Sequence, residues 1–274
     1  MTPTQQYLQH CQNIVQTVEN QEETIRTVAR RFADTILKGR MVHVFGSGHS
    51  RIMVEEMWPR YGSFPGFNPI VELSLTFHNL VVGANGQRQA MFLENVPGLA
   101  ERILRNFDLS EDDAALVISS SGTNVVPVEM AEQFQQKGIC VVALITALHS
   151  AASSSKRPDG KKLGDFADFV LDTGAPVGDA MVRLPGLDTP VAPGSTVGGA
   201  LLVNCIKAET AKLLTDAGHP PKVLSAAAVV GAQRAIDLFE SAYDEHAHRL
   251  AKLYGTVGYP SYVSKDEGLG IKPA

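Results

Sequence analysis

The 274-residue chain has three cysteines, Cys11, Cys140 and Cys205. They stand far apart in apolar or helical contexts, with neither disulfide nor metal-ligand spacing. A disulfide framework and a cysteine metal site are therefore excluded, and a reducing cytoplasmic compartment is the expected one. Basic charge is also scarce. With 24 Lys and Arg against 29 Asp and Glu, the formal charge is −5. Nucleic acid and anionic membrane both want a basic face, so neither is an expected partner. No apolar run is long enough to span a bilayer, and the polar opening MTPTQQYLQHCQ does not read as a signal peptide. Internal repeats and low-complexity segments are missing. So are three motifs: the Gly-Lys-Ser/Thr of a Walker loop, the third glycine of a dinucleotide fingerprint (Met53 stands near its place), and a G-x-S-x-G elbow.

What is present is an alternation of short apolar runs and helical periods. Residues 4–38 read as one helix, with Tyr7, Leu8, Cys11, Ile14, Val15 and Val18 on a stripe that Ile25, Val28, Ala29, Phe32, Ile36 and Leu37 continue. Buried-strand patterns follow at 41–45, 69–73, 115–119, 139–145 and 169–171. Helices are expected at 51–60, in pieces over 75–106, after residue 124, over 194–214 and over 233–253. Segments 149–162 and 172–194 read as loops, and 255–274 has no period. Strands alternating with helices imply a five-stranded parallel sheet in a three-layer αβα sandwich of flavodoxin-like type. The expected division is an N-terminal helical segment, 1–38, a sheet domain, 39–218, and a C-terminal helix and tail, 219–274. Right-handed crossovers put the strand-to-helix turns along one edge, and ligands bind there.

Two of those turns carry unusual chemistry. The run ending at Ile118 stops in Ser119-Ser120-Ser121-Gly122-Thr123-Asn124 before a helix begins. A helix start favours an anion. One hydroxyl would suffice as a cap; five side chains able to donate suit a neutral phosphate cradle without Lys or Arg. The second turn, Gly46-Ser47-Gly48-His49-Ser50, lets backbone approach a ligand and adds Ser47, His49 and Ser50.

These two loops resemble those of the SIS (sugar isomerase) domain family, whose sheet binds phosphosugars. In that family an S-x-S-G-x-[ST/N] turn after the third strand holds the phosphate, and Ser119, Ser121, Gly122 and Asn124 match it. Gly46–Ser50, followed by Glu55-Glu56 and Arg60-Tyr61, is similar to phosphoheptose isomerase. The fuller resemblance, over 41–230, is to a less characterised UPF0309-like branch. It includes Lys161–Asp168, Gly174–Ala180 and Ser195-Thr196-Val197-x-Gly199-Ala200. The resemblance implies that Glu56 is the general base and that Arg60 holds substrate. The loop-to-pair spacing is four residues shorter here, about one helical turn. The family's late-helix histidine corresponds to Asn204, and its metal-site histidine falls in the missing turn. No metal or cofactor is therefore expected.

Aldose–ketose isomerisation needs a base beside a carbonyl and an acid for the oxygens. Besides Glu56, Glu94 interrupts an apolar run and is the second carboxylate candidate. His49, His78 and His246 are the acid candidates; several SIS enzymes deliver a group near His246 across a subunit boundary. The expected function is a sugar-phosphate isomerase acting through an enediol. The alternatives are a non-catalytic sugar-phosphate sensor and another SIS enzyme, an etherase-type lyase or a deaminase. The long N-terminal stripe and glycine-rich late helix point to a homodimer or homotetramer.

Overall fold

The computed structural model describes residues 1–76 and 85–254. Two helices open the chain, α1 (Pro3–Glu19) and α2 (Glu22–Leu37). They are followed by β1 (Val42–Gly46), α3 (Arg51–Met57), β2 (Phe67–Ile70), α4 (Leu73–Thr76), α5 (Gln87–Leu93) and α6 (Leu99–Leu104). Next come β3 (Ala114–Ile118), α7 (Val125–Gln136), β4 (Cys140–Ile145), α8 (Ala147–Ala152) and β5 (Phe169–Asp172). The chain ends in a small ribbon, β6 (Ala180–Val182) and β7 (Val191–Pro193), then α9 (Ser195–Asp216), α10 (Ala227–Val230) and α11 (Ala232–Tyr254).

The five long strands form one parallel sheet in the order β2-β1-β3-β4-β5. Every residue of β1 and β3 is buried, as continuous apolar strands covered on both faces should be. Alternation along the strands divides the core. Val42, Val44, Leu116 and Leu144 pack with α2, α3 and α9 on one face. Phe45, Val117, Val141 and Ala143 pack with α6 and α7 on the other. The N-terminal helices belong to the first of these cores, through Val18, Val28 and Phe32.

Several boundaries differ from the sequence expectation. The expected helix over 4–38 is two helices broken at Asn20–Gln21. There the Gln21 side chain takes both backbone groups of Asp172: Nε2 donates to its carbonyl at 2.8 Å, and its N–H donates to Oε1 at 2.7 Å. The second strand begins two residues earlier than expected and contains Pro69. It is tolerated because β2 lies at the sheet edge. The loop expected over 149–162 starts as α8, and 172–194, expected to be irregular, holds the antiparallel β6–β7 ribbon. Of the break expected near Gly83–Gly86, Gly83 lies outside the described residues.

One buried polar network ties the entry to β1 with the entry to β3. Asp113, 1% exposed, accepts from Arg40 Nε at 2.8 Å and Nη2 at 2.7 Å, and from the Ser110 N–H at 2.9 Å. His43 Nε2 lies 3.3 Å from the same carboxylate. Its ring stacks on Phe134, and Asn68 Nδ2 sits 3.0 Å from its Nδ1. Burial alone would raise the Asp113 carboxyl, but the nearby His43 ring and the bonds from Arg40 outweigh it and hold it at about 2. A folded value below the ordinary 3.8 stabilises the protein above about pH 4. That contribution, about 2 kcal/mol, is lost as pH falls toward 2. Asp113→Asn leaves Arg40 without its partner and should cost about 3 kcal/mol at pH 7. The deficit should shrink at pH 3, as urea denaturation at the two pH values would show.

A second constraint sets α9 against the sheet. A Cβ added at Gly198 would stand 1.9 Å from the carbonyl oxygen of Thr173, just past β5. Helix and strand end cannot both stay in place with any larger residue. Gly198→Ala should cost roughly 3 kcal/mol and lower the melting temperature by roughly 5–10 °C in a thermal scan.

Candidate functional site

The parallel order places the turn after β1 beside the turn after β3, because those strands pair directly, Gly46 against Ile118. From β1 the chain goes outward to β2, and from β3 outward to β4. This is the switch point at which a doubly wound sheet opens a crevice. A cavity of about 420 Å³ lies there, within the size range of small-molecule sites.

The first wall is the β1 turn, with Ser47, Gly48, His49 and Ser50 lining the cavity. Its tightness needs Gly46: a Cβ there would come within 2.8 Å of the Ser50 backbone. The second wall is the serine turn, with Ser119, Ser120, Ser121 and Asn124 facing the space. Within it, the Ser119 hydroxyl accepts from the Gly122 N–H at 3.2 Å. Ser121 Oγ accepts from the Thr123 N–H and the Thr123 hydroxyl, at 3.3 and 2.9 Å. Those bonds use the oxygen of Ser121 and leave its O–H to donate. Thr123 is buried beneath the turn and is not among the lining residues. It supports Ser121 rather than reaching the cavity, a correction to its expected role. Asn124 stands at the N-cap of α7, but its side chain does not cap that helix. Plain capping therefore does not account for it.

Asn124 is instead held by Glu94. The Glu94 carboxylate accepts from Asn124 Nδ2 at 2.7 Å and from the Ser47 hydroxyl at 2.7 Å, joining the two turns. Its carbonyl accepts the Val126 N–H at 2.9 Å, which fixes the end of α5 on the first turn of α7. Burial raises the Glu94 carboxyl above the ordinary carboxylate range; the Ser47 bond, the Lys156 charge and the Asn124 bond offset this only in part.

The other candidates are dispersed. Glu56 and Arg60 line a separate depression with Ile52, Pro59, Tyr61, Phe239 and Tyr243. Glu56 Oε1 accepts from Asn204 Nδ2 at 2.9 Å, and Oε2 pairs with Arg60 at 2.5 Å. Burial pushes this carboxyl up, but the bonds from Asn204 and Arg60, with the Arg60 and Lys207 charges, bring it below its ordinary value. Beneath it the buried Lys207 ammonium donates to the Glu56 carbonyl at 2.7 Å and to Ser63 Oγ at 2.8 Å. Burial pulls the Lys207 pKa down. His246 lies outside the cavity too, with its ring 5.3 Å from that of Trp58. Burial lowers its pKa, and the Arg249 charge adds to this. His78 lies outside the described residues.

Several polar groups in the cavity were not among the expected site residues, among them His149 and Asp179. His149, on α8, lines it, and its Nδ1 accepts the Gly178 N–H at 3.3 Å. It lies four positions past Ile145, the last residue of β4, so the rule of carboxyl strand ends could have found it. Asp179 also lines the cavity, with Ser195 and Thr196 at the start of α9. Nothing local to its Gly/Pro-rich segment marked it.

Fold and crevice together define a doubly wound α/β protein with a hydroxyl-lined cavity at its switch point. Residues 6–146 match the family model of the SIS domain. A UPF0309 protein of Listeria innocua is 32% identical over 209 residues, covering 76% of this chain and 82% of that relative. A UPF0309 protein of Halalkalibacterium halodurans is 34% identical over 214 residues, covering 78% and 86%. Among solved structures, a phosphoheptose isomerase from Francisella tularensis gives a TM-score of 0.45 at 14% identity, covering 77% of this chain and 98% of that one. The Vibrio vulnificus NanR protein complexed with ManNAc-6P gives 0.44 at 16%, covering 86% and 67%. The chain belongs to the SIS-domain family and groups with its UPF0309 proteins.

Proposed function

We propose that this protein binds a phosphorylated sugar and isomerises it between aldose and ketose through an enediol, with Glu94 as the base. The observation that carries the reading is the placement of the Glu94 carboxylate. It lines the same cavity as the serine turn and is hydrogen-bonded to both turns. The phosphate sits on the serine turn, taking the hydroxyls of Ser119 and Ser121 and the start of α7, a neutral cradle of the kind that suits one anion. Glu56, the carboxylate favoured by family likeness, is paired with Arg60 and Asn204 in another depression, which moves proton abstraction to Glu94.

The chemistry follows from the groups in the cavity. Glu94 removes the proton from the carbon beside the carbonyl. The C–H electron pair forms the carbon–carbon double bond of the enediol, and the carbonyl oxygen takes up a proton. Returning that proton to the neighbouring carbon, as the other enediol hydroxyl gives up its proton and becomes the new carbonyl, completes the isomerisation, so no redox partner is consumed. A carboxyl raised by burial is a stronger base than an exposed one. His149 supplies the proton at oxygen: with Nδ1 accepting from Gly178, the neutral ring carries its hydrogen on Nε2. His49, in the β1 turn, lines the same space.

Ser121→Ala removes one charge-assisted bond, worth roughly 1.5–3 kcal/mol. Titration calorimetry with the sugar phosphate that the protein binds best should show a tenfold or larger loss of affinity. Glu94→Gln preserves size but cannot accept the proton, so turnover should fall roughly a hundredfold or more with binding kept. Deuterium exchange from solvent at the substrate carbon reads this step directly. Full exchange by Glu94→Gln would return the base to Glu56; binding with no exchange by the unaltered protein would make it a sensor.

A further inference from the structure

The starts of α3, α7 and α9 all meet the cavity, and the protein treats the last of them differently: the first two carry no side-chain cap. The start of α7 has no side-chain cap and is bordered by uncharged hydroxyls. The start of the 22-residue α9 already holds an anion of the protein's own. Asp179 Oδ1 accepts from the Gly194 N–H at 3.0 Å and the Ser195 N–H at 2.6 Å, and Oδ2 accepts from the Ser195 hydroxyl at 2.8 Å. Asp179 keeps this position at a positive φ of 71°, a conformation that Asp tolerates better than most residues. The β6–β7 ribbon enforces it: Ala180 pairs with Pro193, so the residue before β6 faces the residue after β7.

A carboxylate at a helix start is an ordinary stabilising device. Here it also lines the ligand cavity. Glu94 lines the same space, and no Lys or Arg is among the described lining residues. A ligand therefore meets open helix starts on the β1 and serine turns and a fixed carboxylate, Asp179, at the start of α9. A second phosphate reaching the α9 end would find that start occupied and would be repelled by the Asp179 carboxylate, a repulsion that falls as salt rises.

We infer that Asp179 is a specificity-determining residue: its carboxylate fills the start of α9, so the cavity admits sugars with one phosphate and rejects those that bring another anionic group to the α9 end. This rests on the phosphate reading of the serine turn.

The test is calorimetry with matched pairs: fructose 6-phosphate and 1,6-bisphosphate, glucose 6-phosphate and 1,6-bisphosphate, ribulose 5-phosphate and 1,5-bisphosphate. The unaltered protein should prefer the monophosphate of any pair it binds by tenfold or more. The preference should weaken at high salt. Asp179→Asn keeps an acceptor for Gly194 and Ser195 and suits the positive φ, so thermal unfolding should stay near the parent value. It should narrow the preference at least threefold while monophosphate affinity holds. A role confined to capping α9 would shift the melting temperature and leave the ratio alone. Equal binding of both members by the parent protein overturns the inference by itself, as does an unchanged ratio in Asp179→Asn. Binding of neither member of any pair overturns the phosphate reading and this inference with it.

Discussion

Because β1 pairs directly with β3, the turns leaving Gly46 and Ile118 emerge side by side, and the features of the site follow from that adjacency. Each turn alone is a common device, a tight glycine loop and a polar helix start. Side by side they form two walls of one crevice, and the Glu94 carboxylate can reach Ser47 on one wall and Asn124 on the other. The buried Asp113 network works at the opposite ends of the same two strands. It joins Arg40 and His43 to the entry of β3, so the pair that carries the site is tied at both ends.

The electrostatic design of the crevice is economical. The serine wall presents neutral donors, and the nearby carboxylates each have separate partners. The Glu94 carboxyl is raised by burial above its ordinary value. Asp179 is satisfied by the start of α9. Glu56, in contrast, is held below its ordinary value by Asn204 and Arg60, the condition of a structural ion pair.

Periodicity and turn chemistry made much of the architecture legible. Alternating apolar runs gave the number and direction of the strands in the parallel sheet, and the hydroxyl excess after Ile118 marked one wall of the cavity. Where the reading slipped, the cause was a long-range contact. The break at Asn20–Gln21 accompanies a side chain bonded to Asp172, 151 residues away. Among site residues, Glu56 was favoured because its motif is contiguous. His149 and Asp179 went unnoticed because their neighbours in the cavity come from other strands.

By itself, then, the sequence determined what is local: the strand and helix periods, the sheet class, the hydroxyl-rich serine turn, and the likeness to SIS proteins. Those depend on neighbours within a few positions along the chain. Only the tertiary structure decided which carboxylate enters the crevice, that Thr123 lies beneath the turn, and that Asp179 closes the start of α9. Each of those outcomes depends on strand order and on the crossing of α9 over the end of β5, which bring together residues tens to more than a hundred positions apart.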